Sequence, residues 1–161
     1  DPQCNQAPSF QFLYLPKNAP ESGAALPGTT SNGGGPGPFQ PYDPQNPPSQ
    51  DQIATTTTTD GETVPFIVRL ETGYIDRDQY AIAVLYDPAK PWSATAPQKQ
   101  FNHRMVITHG FSCDTEYKTG DAPSVLDPKV LGGGFVVMSN ALDHAGHNCN
   151  LLTQAESLVM T

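Results

Sequence analysis

Two short apolar runs anchor the hydropathy pattern of the chain. The first is Arg104-Met105-Val106-Ile107-Thr108, broken abruptly by His109-Gly110. The second is Gly134-Phe135-Val136-Val137-Met138-Ser139-Asn140, which leads into the polar loop Asp143-His144-Ala145-Gly146-His147-Asn148-Cys149. Neither run alternates apolar with polar, so both read as fully buried strands. The connection between them has room for a helix, and a crossover of that size is what two parallel strands need. The predicted unit is strand 105–108, long loop, short helix over 124–131, strand 135–140. Gly132-Gly133-Gly134 supplies the left-handed residue that a helix stop favours.

Upstream, Val64, Phe66, Val68 and Leu70 alternate onto one face, with Pro65 demoting the run towards an edge. Glu71-Thr72-Gly73-Tyr74 reads as a turn, and Gln79 to Tyr86 as a second strand, which together predict a hairpin with a longer loop. Trp92, in a loop with Pro91 and Pro97, reads as a plug over the core, with a substrate-facing role as the lesser alternative. Residues 1–62 form few apolar runs and predict an extended Pro/Gly/Thr-rich arm, set apart from a folded unit over 63–161. Within the arm only Phe10 to Leu15 is compactly apolar, a short strand or docking arm. Thr55 to Thr59 suits an edge strand. At the far end, apolar residues recur at 151, 152, 155, 158 and 159, the spacing of one helix face, with Asn150 as N-cap. No glycine, proline or basic turn closes this helix, so the expectation is a sequence that breaks off inside it.

Composition narrows the function classes. The chain has 161 residues and a formal charge of -8, with only 15% charged residues. A nucleic-acid surface needs clustered Lys and Arg, and none occurs. No apolar run is long enough to span a bilayer. Eleven of the 17 prolines precede Asp60, which keeps that segment out of sheet interiors. Three cysteines, few lysines and much Thr, Pro, Asn and Gln indicate an exported protein, secreted or periplasmic, in an oxidising compartment. An odd count leaves one cysteine for a partner.

The residues able to carry chemistry cluster after the two strands. In open parallel sheets the reactive crevice lies at the strands' carboxyl ends, here His109-Gly110-Phe111-Ser112-Cys113 and Asp143 to Cys149. Gly110 permits close backbone approach. Amides of Gly110, Phe111 or Ser112 are placed to stabilise an oxyanion, while a packed core histidine is the competing account of His109. A Cys113–Cys149 disulfide would tie the two loops together; a catalytic cysteine is the alternative, though no His-paired motif surrounds either. Cys4 is then the odd one. His144 and His147 beside Asp143 make a thin metal motif on a glycine-containing loop, so no metal and no cofactor is expected. Ser112 and Ser139 resemble nucleophiles by type only, since no Gly-x-Ser-x-Gly elbow occurs.

Taken jointly, Val64-Pro65-Phe66-Ile67-Val68-Arg69, Glu71-Thr72-Gly73, Ile82 to Tyr86, Phe101-Asn102-His103-Arg104, Gly146-His147-Asn148-Cys149-Asn150 and Ala155-Glu156-Ser157 resemble the opening of a family of exported bacterial α/β-hydrolase-like proteins. That family is known mainly as a domain of unknown function. The resemblance implies an α/β fold in which this chain is the amino-terminal portion of a hydrolase-like sheet. It implies an oxyanion loop at His109, Gly110 and Phe111 and a covering loop over Asp143 to Cys149. The serine nucleophile, acid and histidine would come from elsewhere, in the remainder of the same protein or a second chain that Cys4 bridges. The implied function is acyl transfer on an ester or amide, in a small-molecule or polymer substrate. Two other readings compete: a non-catalytic extracellular binding or assembly protein on the same scaffold, and a small stand-alone β-rich binding domain.

Overall fold

The computed structural model describes residues 6–19, 37–75, 78–93, 95–108, 122–143 and 150–160. Among them a mixed six-stranded sheet and few helices form an α/β-type fold. Its strands are β1 (Ser9–Tyr14), β2 (Gln40–Pro41), β5 (Ile67–Ile75), β6 (Asp78–Leu85), β7 (Met105–Thr108) and β8 (Val136–Asn140). A small hairpin, β3 (Thr55–Thr57) with β4 (Thr63–Pro65), lies apart from that sheet. The large sheet runs β2-β1-β5-β6-β8-β7.

The predicted hairpin is present as β5–β6, antiparallel with Val68 opposite Leu85 and Ile75 opposite Asp78. Its boundaries differ from expectation in two ways. The run 64–70 splits at Phe66, with Val64 in β4 and Val68 in β5. Glu71 to Tyr74 is not a turn, because β5 continues through it to Ile75. Gly73 misleads as a turn signal. A Cβ there would meet the Tyr80 hydroxyl at 2.6 Å, so this glycine makes room for a cross-strand ring inside a strand.

The parallel pair is also as predicted: β7 beside β8, with Met105 opposite Val136 and Thr108 opposite Ser139. The helix between them, α1 (Pro128–Gly132), is shorter than 124–131. Asp127 caps it, its side chain accepting from the amides of Lys129 and Val130, and Pro128 occupies the first turn, where its missing N–H costs nothing. Gly134 takes the left-handed conformation after the helix, at φ 88°.

β8 is buried as expected, but β7 is not. It forms the edge of the described sheet, and Met105 is exposed. An unbroken apolar run signals burial only when both faces and the outer edge are covered, and among the described residues no strand covers the outer edge of β7.

The low apolar content of residues 1–62 predicts little core from them, and the structure corrects this. β1 is an interior strand, paired to β5 through six residues from Ser9–Thr72 to Tyr14–Ile67. Leu13 and Phe39 are buried in the main core with Val68, Leu85, Val125 and Leu131. Few apolar residues suffice because Leu13, Phe39 and Ile53 are each buried. That face of the sheet carries Leu13, Val68, Ala83, Leu85 and Val137 and packs against α1 and Phe66. The opposite face carries Phe12, Arg69, Glu71, Ile82 and Val84.

The last helix, α2 (Leu151–Met160), begins at Asn150, whose side chain accepts from the amides of Leu152 and Thr153. The apolar stripe does not bury: Leu151, Leu152, Leu158, Val159 and Met160 are exposed, and Ser157 is the buried residue.

Candidate functional site

The parallel register brings the carboxyl ends of β7 and β8 together. Thr108 lies opposite Ser139, and its hydroxyl donates to the Met138 carbonyl at 3.2 Å. The segments that follow Thr108 and Asn140 therefore start side by side, the arrangement of a crevice at parallel strand ends. Beyond Asn140 a single 3-10 turn, Ala141–Asp143, carries the chain on, all three residues buried.

Polar groups are concentrated at this strand end. Ser139, Asn140 and Asp143 are buried, as is Asp78 at the start of the neighbouring β6. Asn140 opens the turn by accepting the Leu142 amide on Oδ1 at 2.9 Å. Gln79 accepts the Ala122 amide at 2.9 Å, which holds the approach to α1 against β6. Asp78 Oδ1 accepts the Gln79 amide at 2.9 Å, while its Oδ2 is buried with no hydrogen-bond partner among the described residues. Buried polar groups cost stability unless paired, and the hydrogen bonds of Ser139, Asn140 and Asp78 tie this strand end to its neighbours.

Of the sequence-predicted site residues, Asp143 lies in the described structure and is buried at this end rather than solvated. His109, Gly110, Phe111, Ser112, Cys113, His144, His147 and Cys149 lie outside the described residues, as does Cys4. Ser139 is excluded as a free nucleophile. Its hydroxyl is buried and donates to the Pro123 carbonyl at 2.6 Å, pinning β8 to the segment before α1. Among the described residues no cluster of three His, Cys, Asp or Glu is placed to hold a metal.

Two arrangements escaped the sequence reading. The first is a clamp at the amino ends of the same strands. Asn102 Nδ2 donates to Thr59 Oγ1 at 3.0 Å and to the Gly133 carbonyl at 2.9 Å, and its Oδ1 accepts the Arg104 amide at 3.0 Å. One buried side chain thus joins the 55–65 hairpin, the turn after α1 and the entry to β7. Next to it, His103 holds a positive φ of 59°.

The second lies on the far face of the sheet. The Arg69 guanidinium stacks between Phe10 and Trp92, 4.3 and 4.4 Å from the ring centres, and pairs with Glu71 at 3.2 Å. Glu71 also accepts the Tyr80 hydroxyl at 2.9 Å. Burial, then the hydrogen bond and charge of Glu71, push the Tyr80 phenol up to about 12. Trp92 is not the expected core plug; it stays 45% exposed and roofs a cavity. Charged residues at 69 and 71, out of phase with apolar 68 and 70, were the available signal for this face.

A family model covers residues 1–161, that of a tannase-like family of unknown function (DUF6351). No curated protein and no solved structure matches the chain. Among the described residues no helix is long and apolar enough to cross a membrane.

Proposed function

From the premise that the chain belongs to this tannase-like family, whose esterase-type hydrolase scaffold it shares, we propose that it forms the amino-terminal part of an exported serine hydrolase. The substrate is an ester or amide, and the reaction is acyl transfer. The observation that carries this reading is the parallel β7–β8 pair, whose carboxyl ends meet beside buried Asp78, Asn140 and Asp143. In this reading the amides of residues 109–111, directly after β7, hold the developing oxyanion in a low-dielectric crevice. A Cys113–Cys149 bridge ties the loops that leave the two strands.

The nucleophile comes from residues outside 1–161, in the remainder of the protein or in a second chain. Two features support such a neighbour. Among the described residues β7 is an edge strand of the large sheet, the position at which a further strand pairs. The exposed leucines and valine of α2 form an apolar face that a neighbour would bury.

The experiment is covalent labelling of the full-length protein with a fluorophosphonate, followed by peptide mapping. The expected label sits on one serine outside residues 1–161. A label on Ser112 or Ser139 overturns the assignment of roles. A folded protein that takes no label and cleaves no ester overturns the enzyme reading and leaves a non-catalytic binding scaffold.

A further inference from the structure

The cavity beneath Trp92 has a volume of about 230 Å³, room for one ring and a small substituent. Its floor is the second face of the sheet, Ile82, Val84 and Val136, and the 92–101 loop roofs it with Trp92, Pro97 and Phe101. Val136 is the first residue of β8. The cavity therefore lies at the amino end of the parallel pair, opposite the crevice at Asn140.

The polar groups around it have unequal capacity left. Gln98 is spent within its own loop. It donates to the carbonyls of Asp87, Lys90 and Pro91 and accepts from the Asp87 amide and Gln100. Glu71 has one oxygen on Tyr80 and the other on Arg69. Ser93 Oγ accepts the Ala96 amide, which leaves its O–H as a donor. Arg69 lies over the rings of Phe10 and Trp92 and has one nitrogen on Glu71. Of its five N–H groups, those on the rest of its edge remain. The free N–H groups of Arg69 and the Ser93 hydroxyl are thus the donors left to a ligand, above an apolar floor, with the Glu71 carboxylate already paired to Arg69.

We propose that this cavity binds a small carboxylic acid with a flat, ring-sized apolar body. A carboxylate matches the edge of a guanidinium as a planar two-point acceptor, and the ring replaces water against Ile82, Val84 and Val136. A sugar fits less well, because the floor of Ile82, Val84 and Val136 would leave several of its hydroxyls without a partner. The proposal does not depend on the chain being part of a hydrolase.

The test is calorimetric titration with benzoate, in parallel with quenching of Trp92, the only tryptophan in the chain. Benzyl alcohol keeps the ring without the charge, and acetate keeps the charge without the ring. Benzoate is expected to bind saturably at about millimolar concentration or tighter, and each partial probe at least about tenfold more weakly. Val84→Phe fills the cavity from its floor and leaves Arg69 in place, so it abolishes binding. Arg69→Lys keeps the charge but loses the fork, and weakens benzoate without weakening benzyl alcohol. Absence of saturable benzoate binding, equal affinity for benzyl alcohol, tighter binding of methyl glucoside, or unchanged binding in Val84→Phe each overturns the proposal. None of these readouts measures turnover, so failure here leaves the serine-hydrolase reading intact, and the reverse holds too.

Discussion

Replacing Asn102 tests whether one buried amide holds the entry to the crevice strands. Asn102→Ala removes three hydrogen bonds, two donated at 3.0 and 2.9 Å and one accepted at 3.0 Å. At about 1 kcal/mol net each, the upper bound is about 3 kcal/mol. Two features lower it. The Gly133 carbonyl keeps the Thr59 amide and hydroxyl as donors, and Arg104 is exposed, so water replaces Asn102 at its amide. The expected loss is about 2 kcal/mol. Asn102→Asp is nearly isosteric yet worse at neutral pH, because it sets a buried carboxylate against the Gly133 carbonyl. The introduced acid has a native pKa above its unfolded one, since burial disfavours its charge. Its deficit is therefore largest above the carboxylate range and shrinks as pH falls and the acid regains a proton to donate. Urea unfolding followed by far-ultraviolet circular dichroism measures both variants, with exposed Asn46→Ala as the control. An Asn102→Ala stability within about 0.5 kcal/mol of that control, or a milder Asn102→Asp at neutral pH, would refute the role of the Asn102 clamp.

Other substitutions probe the same framework. Ser139→Ala strips the bond to Pro123 and should cost about 1–2 kcal/mol of stability, while ester turnover by the full-length protein persists; loss of turnover at wild-type stability would restore Ser139 as a nucleophile. Gly134→Ala forces a side chain onto φ 88° and within 2.7 Å of the Gln100 carbonyl, so thermal unfolding should report a loss of about 2–4 kcal/mol. Tyr80 has its phenol raised to about 12 from an ordinary 10.0, so the native state holds that proton more tightly than the unfolded chain. The stability it contributes is present below pH 10 and declines as pH rises towards 12. Ultraviolet titration should show a phenolate forming near pH 12, absent in Tyr80→Phe.

Local chemistry made much of this fold readable. A helix is legible between the two strands, although it starts at Asp127-Pro128, later than expected, and the unbroken run over 135–140 states a buried strand. Asn150 states a cap, and the glycines after α1 supply the left-handed stop. What escaped depends on partners distant in the chain. Gly73 looks like a turn until Tyr80 is placed across from it, and β1 looks like an arm until Thr72 to Ile67 is laid beside it. Asn102 carries no periodic signal at all, because its three partners lie at 59, 104 and 133. For the crevice, the sequence pointed to the strands that position it, and those strands are there; the residues that would line it follow Thr108 and Asp143, beyond the described structure. The Arg69 arrangement was half visible, as charge out of phase in an apolar strand, but its aromatic partners come from residues 10 and 92.

The strand order also dictates a sequence of events in time. Within the large sheet, β5 and β6 are the paired strands closest in sequence, Ile75 lying opposite Asp78; β1 reaches its place across 63 positions between Ser9 and its partner Thr72, and β8 reaches β6 only after the β7 excursion. Closing the short loop first is entropically cheapest, so the β5–β6 ribbon is the natural nucleus, onto which β1 and β8 zip from either side. As the chain emerges from a ribosome, the amino-terminal strand waits for a partner some sixty residues behind it. Substitutions in the ribbon should then slow folding, whereas loosening the Asn102 clamp should chiefly hasten unfolding.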